Sequence, residues 1–106
     1  MHRLLTWAGR SSFSYTGSVA EGTKIRFGRT GQVICVSKDQ YDALRKAFLN
    51  QTVPIGTSRT SPPSGSLGEW LQNNVTQTAI ASYVGPILIS EGFAVKADRH
   101  EITIKK

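Results

Sequence analysis

The order of structural patterns in residues 66–106 limits the folds open to this chain more than any other feature of the sequence. A short helix with an N-terminal capping signal is predicted over 66–74, and a more apolar helix, capped by Thr76 or Thr78, over 78–91. Gly92 ends the second helix, because glycine adopts the left-handed conformation that closes a helix. Apolar strand patterns then flank a polar tip at 96–101. The sequence therefore predicts two helices followed by an antiparallel hairpin.

The N-terminal third of the chain carries the alternation of polar and apolar residues that is typical of β-strands. The alternation is clearest at 24–27, where both cations fall on one face and both apolar residues on the other. A tight-turn signal at 28–31 follows, and the nearly all-apolar segment 32–36 predicts a more buried strand. We expect Cys35 to pack in the core of this strand as a small hydrophobic group.

A third helix is predicted directly after these strands. Ser37 and Gln40 have the spacing of a capping box, and an apolar stripe continues over 38–49. The segment 50–65 is rich in Ser, Thr and Pro, which favour loops over regular elements. In a small domain, a loop of this length is either functional or mobile.

Together these patterns predict one α+β domain spanning 1–106, with an N-terminal antiparallel β-sheet, three helices and a C-terminal β-hairpin. No apolar run is long enough to cross a bilayer, so we expect no membrane partner. The only cysteine cannot form an intrachain disulfide, which fits a reducing, cytoplasmic location.

The first twenty residues contain no acidic side chain, a composition that organelle transit peptides share. An ordinary first strand is the alternative, and the alternation of Leu5 and Trp7 with polar neighbours favours it. The apolar stretch at 4–8 is too short for the core of a secretory signal.

No residue pattern predicts catalysis, a metal site or a cofactor. His2 and His100 lie at opposite ends of the chain, and neither has a carboxylate at helical ligand spacing. The sequence lacks the Gly-x-Ser-x-Gly pattern of a nucleophile elbow and the lysine of a phosphate-binding loop. We therefore expect a non-enzymatic protein.

The chain is strongly basic, with a net charge of +6 and an isoelectric point near 9.9. This charge favours acidic partners, above all nucleic acid. The alternative is a basic protein without an acidic partner, because many small proteins of this charge bind none.

The order of elements over 66–105 resembles the winged helix-turn-helix family. The resemblance rests on the helix 79–88, its exit at 89–93 and the return strand 102–104, with 38–49 as the corresponding first helix. In that family the second helix of the turn enters the major groove of DNA, while the hairpin contacts the backbone or the minor groove.

The resemblance implies which residues would meet DNA. A polar set at the start of the second helix would face base edges or phosphates: Thr76, Gln77, Thr78 and Ser82. A cationic set would form the tip of the hairpin: Lys96, Arg99 and His100. The helix itself carries no Lys or Arg, is interrupted by Gly85-Pro86 and is apolar nearly all round. It is therefore also interpreted as a core helix or as the surface of a homodimer.

We predict non-catalytic binding of nucleic acid, with DNA as the expected form, by a small regulator or accessory protein. The predicted contact residues are Lys24, Arg26, Arg29, Arg59, Gln77, Thr78, Lys96 and Arg99, with Trp7 and Tyr15 as stacking groups. The predicted hairpin at 24–36 carries Lys24, Arg26 and Arg29. The alternative for these cations is that they only form a solvated strand face. The alternative function is a protein-interaction or dimerisation module that uses the apolar 78–91 helix.

Overall fold

The computed structural model describes residues 1–105, and its first part is a four-stranded antiparallel sheet, called here the N-terminal sheet. Its strands follow in chain order: β1 (His2–Leu5), β2 (Ser12–Ser18), β3 (Gly22–Phe27) and β4 (Gln32–Ser37). The predicted hairpin is confirmed, because β3 and β4 pair along their whole length.

Three helices and a second sheet follow: α1 (Lys38–Phe48), β5 (Thr52–Pro54), α2 (Leu67–Asn74), α3 (Ala81–Ser90), β6 (Ala94–Lys96) and β7 (Glu101–Ile104). The second sheet is antiparallel with the order β5-β7-β6, so the closing hairpin gains a third strand from the loop that follows α1. The predicted α+β class, with an N-terminal sheet, three helices and a C-terminal hairpin, is confirmed.

Local hydrogen bonds explain where α1 and α2 begin. The Ser37 hydroxyl accepts from the Gln40 backbone N–H at 3.1 Å, and the Gln40 side chain accepts from the Ser37 N–H at 2.9 Å. Ser66 caps α2 in the same way through the Glu69 N–H. In a capping box the Glu69 carboxylate would accept from the Ser66 N–H, but it accepts from the Gly65 N–H at 2.9 Å. Both predicted helix starts are confirmed.

The last strand of the N-terminal sheet is less buried than its sequence indicates. Only Val36 is buried in β4, while Val33 and Cys35 are exposed. The prediction that Cys35 packs in the core was wrong. β4 is an edge strand of a sheet that is covered on one face only, so alternate residues of an apolar run point to solvent.

The covered face of the N-terminal sheet packs against α3. Phe13 and Phe27 place their rings 5.1 and 4.5 Å from the ring of Tyr83. At the other end of α3, the Glu91 carboxylate accepts hydrogen bonds from the Tyr15 hydroxyl at 2.7 Å and the Val19 N–H at 2.9 Å. Burial is the first cause that raises the pKa of Tyr15, and the hydrogen bond to Glu91 is the second.

The start of α3 differs from the prediction. The helix begins at Ala81 rather than near Thr78, and Ile80 at the N-cap makes no side-chain capping bond. Thr76 and Thr78 therefore do not cap it. The Gly85-Pro86 pair lies inside one helix and does not divide it.

Trp7 compensates for the proline in α3. Pro86 has no backbone N–H, so the carbonyl of Ser82, four residues earlier, lacks its helical partner. The Trp7 backbone N–H donates to that carbonyl at 2.9 Å. Gly85 makes room for the indole, because a Cβ atom there would lie 2.9 Å from Ile55 Cδ1 and 3.0 Å from Trp7 Cε3.

Further contacts join Trp7 to the β6–β7 hairpin. Its indole Nε1 donates to the Arg99 carbonyl at 2.7 Å. The Lys96 ammonium donates to the Trp7 carbonyl at 3.1 Å and lies 4.6 Å from the centre of the indole ring. The β1–β2 loop is thereby held to α3 and to the C-terminal hairpin at once.

We expect Trp7→Ala to lower the free energy of unfolding by about 3–5 kcal/mol, because it removes a large buried ring and leaves a cavity. Trp7→Phe should cost at least about 1 kcal/mol, because Phe cannot donate to Arg99. Urea unfolding followed by circular dichroism measures both. Leu5→Ala is the control, since Leu5 is 61% exposed. A Trp7→Ala protein as stable as the control would contradict this account of the packing.

Candidate nucleic-acid interface

A polar cleft of about 390 Å³ opens where the β3–β4 hairpin meets the start of α3, and we call it the hairpin cleft. It is lined by residues from four separate segments: Phe27, Gln32, Thr57, Arg59, Gln77, Thr78, Ala79, Ser82 and Tyr83. The structure therefore brings three of the predicted contact residues, Arg59, Gln77 and Thr78, to one place. Gln77 and Thr78 are exposed and belong to the loop before α3, not to the helix.

A second cleft, of about 290 Å³, lies beside Trp7, and we call it the Trp7 cleft. Its lining combines the β1–β2 loop with the tip of the β6–β7 hairpin: Trp7, Ala8, Arg10, Ile55, Thr57, Lys96, Arg99 and His100. Lys96 and Arg99 were predicted as contact residues. Arg10 was not predicted as a contact residue, because no local sequence pattern shows that the β1–β2 loop lies beside the β6–β7 hairpin.

The two clefts adjoin, because Thr57 lines both. Four cations from distant parts of the chain border them: Arg10, Arg59, Lys96 and Arg99. Among residues 1–105, no carboxylate lines either cleft. We call the two clefts together the basic track, since folding gathers four cationic side chains along their lining.

The remaining predicted cations lie elsewhere. Lys24 and Arg26 are exposed on β3, where they alternate with the buried Ile25 and Phe27. Their side chains therefore project from the face of the N-terminal sheet that does not pack on α3. Arg29 is exposed in the turn between β3 and β4. The predicted contact residues are thus divided between two surfaces.

The N-terminal sheet covers the helix that the family resemblance assigns to the major groove. Within α3 only Ser90 is exposed, while Ala81, Val84, Gly85, Ile87 and Leu88 are buried. The two proposed stacking groups are covered as well, because Trp7 and Tyr15 keep only 7% and 2% of their surface exposed. The prediction that these aromatic rings stack on bases was therefore wrong.

Two carboxylates at the hairpin tip influence each other's protonation. Asp98 accepts a hydrogen bond from the His100 N–H at 2.7 Å, which lowers the pKa of Asp98. A hydrogen bond from the side chain of Glu101 to Asp98, together with the negative charge of Asp98, raises the pKa of Glu101. These acids lie next to Arg99 and reduce the positive potential of the tip at neutral pH.

Comparison with known protein families, with curated proteins and with solved structures found no significant match. In the part of the chain that the structure describes, no helix is both long and apolar enough to span a membrane. Nor do His, Cys, Asp and Glu side chains within 1–105 form a group of three or more suited to a metal ion.

We expect Asp98→Asn to lower the pKa of Glu101 toward its ordinary value, because the substitution weakens the hydrogen bond that raises this pKa and removes the neighbouring negative charge that raises it further. NMR titration of the carboxyl carbons measures this directly. Asp39→Asn on the exposed part of α1 is the matched control and should leave Glu101 unchanged. An unaltered pKa of Glu101 in Asp98→Asn would show that the two acids do not interact.

Proposed function

We propose that this protein is a non-catalytic nucleic-acid-binding protein that holds DNA along the basic track. The observation that carries the proposal is the convergence of Arg10, Arg59, Lys96 and Arg99 on two adjoining clefts without a lining carboxylate. Phosphate groups are the ligands that such a surface attracts most strongly, and their neutralisation releases counterions from DNA. A small regulator or accessory protein, located in the cytoplasm, fits this kind of site.

The order of elements supports a winged-helix arrangement for the C-terminal part. α1, α2 and α3 precede the β6–β7 hairpin, and the polar tip 97–100 then corresponds to the wing. Pairing of β7 with β5 joins the hairpin to the segment that follows α1. Lys96 at the end of β6 and Arg99 in this tip lie beside the β1–β2 loop.

The mode of binding that the geometry favours is contact with phosphates rather than reading of bases by an inserted helix. The N-terminal sheet occupies the surface of α3, so the helix has no broad face to place in a groove. Gln77 and Thr78 remain available at its start for polar contacts. Phosphate contacts carry little sequence information, so we expect affinity with little sequence preference.

The alternative function, dimerisation through the apolar 78–91 helix, is less well supported. Tyr83, Pro86 and Ile89 are the large apolar side chains of α3 that keep some exposure, and each is half-buried. Tyr83 packs on Phe13 and Phe27, and Ile89 packs against the core cluster. The helix is therefore occupied within its own chain.

We expect the double variant Arg59→Ala/Arg99→Ala to bind DNA more weakly than the wild type, because two phosphate contacts are lost. The slope of log affinity against log salt should become shallower by about two, roughly one for each contact. Fluorescence anisotropy with labelled random-sequence duplex and single-stranded DNA, between about 50 and 200 mM salt, measures affinity and slope.

The matched control is Lys38→Ala/Lys46→Ala, which removes the same charge from exposed positions on α1 outside both clefts. It should keep most of the affinity. Equal losses in the two double variants would indicate that net charge alone attracts DNA. Absence of binding by the wild type at low salt would rule out the proposed function.

A further inference from the structure

The outer face of the N-terminal sheet, the one turned away from α3, has a charge pattern of its own. The strand register places Arg3, Ser14 and Arg26 side by side across β1, β2 and β3. The neighbouring row pairs Thr16 with Lys24. All three cations therefore project from one face, with hydroxyl groups between them.

No acidic residue occurs in the four strands of this sheet. Within residues 1–105, the ion pairs involve Lys38, Arg45 and Asp42 on α1, and none of the outer-face cations takes part. In the described part of the chain, Arg3 donates only to the neutral Ser12 hydroxyl, at 3.1 Å. The charge of this face must therefore be balanced by ions or by a partner from solution.

The spacing of these cations suits a chain of phosphates. Lys24 and Arg26 are two residues apart on one strand, which separates their backbone positions by about 7 Å. Arg3 lies two strands away from Arg26, a distance of about 10 Å. Flexible side chains at such intervals can reach several phosphates of one nucleic-acid backbone, whereas they present no fixed array for base edges.

The outer face and the basic track lie on different sides of the same sheet. Phe27 and Gln32 line the hairpin cleft, while Arg26 and Val33, their neighbours on the same strands, belong to the opposite face. A segment of DNA on the track would have to turn around the end of the β3–β4 hairpin to meet Lys24 and Arg26. A second, separate segment of DNA would contact Lys24 and Arg26 without such a bend.

We propose that the outer face of the N-terminal sheet binds a second nucleic-acid segment, so that one protein molecule bridges two segments. This inference rests on the proposed function of the basic track. Arg3, Lys24 and Arg26 supply the second set of phosphate contacts. The partner is again a nucleic-acid backbone, because the surface offers positive charge and hydroxyls but no acidic group.

The test is a capture assay with the full chain. Biotinylated duplex is fixed on beads, protein is added, the beads are washed, and a fluorescent duplex of unrelated sequence is supplied. The wild type should retain the fluorescent duplex on the beads. Lys24→Thr/Arg26→Thr, which keeps residues that favour strands, should bind the first duplex within about twofold of the wild type and lose most of the capture.

The outcomes separate this inference from the proposed function. If the wild type binds the fixed duplex but captures no second one, bridging is wrong and the basic track stands. If Lys24→Thr/Arg26→Thr captures as well as the wild type, the outer face is not the second surface. Light scattering during size exclusion, with and without DNA, shows whether capture comes instead from two tracks in a dimer. If the wild type does not bind the fixed duplex at low salt, both proposals fail together.

Discussion

The structure depends above all on the docking of Trp7 against α3. Proline at position 86 leaves the Ser82 carbonyl without a helical donor, and the Trp7 N–H supplies one. Glycine at position 85 gives the indole its place beside Ile55. Gly85 and Pro86, which are unfavourable in an isolated helix, therefore form the place where Trp7 of the β1–β2 loop packs on α3. The unfavourable effect of Pro86 on the helix is offset here by the hydrogen bond and the packing of Trp7.

The contacts of Trp7 also determine where the cationic side chains come together. Trp7 donates to Arg99 and accepts from Lys96, which brings the β1–β2 loop to the tip of the C-terminal hairpin. Arg10 is carried along with that loop and lines the same cleft. The N-terminal sheet at the same time covers α3, so what would be a groove-reading helix serves as a core helix. The surface that remains accessible to a nucleic acid is therefore formed by loops and by the tip of the C-terminal hairpin. Such a surface suits contacts with phosphates.

Features that depend on neighbouring residues could be predicted from the sequence. The Ser37–Gln40 capping box and the β3–β4 hairpin are of this kind, because their signals lie within a few residues of the bonds they make. Cys35 was misplaced because an apolar run does not show whether its strand lies at an edge. The division of the cations also escaped prediction. Only the folded structure shows that Lys24 and Arg26 leave the sheet on the side away from the cleft that Arg59 lines.

We propose that nucleic acid binds at the basic track and is not merely attracted by the overall charge of the protein. The most direct measurement is a titration of ¹⁵N-labelled protein with short duplex DNA, followed by ¹H–¹⁵N NMR at low salt. We expect the amide signals at 8–10, 57–59, 77–82 and 96–100 to shift together, while those of the exposed positions of α1 stay in place. Shifts that are strongest on α1, or no shifts at all, would contradict it.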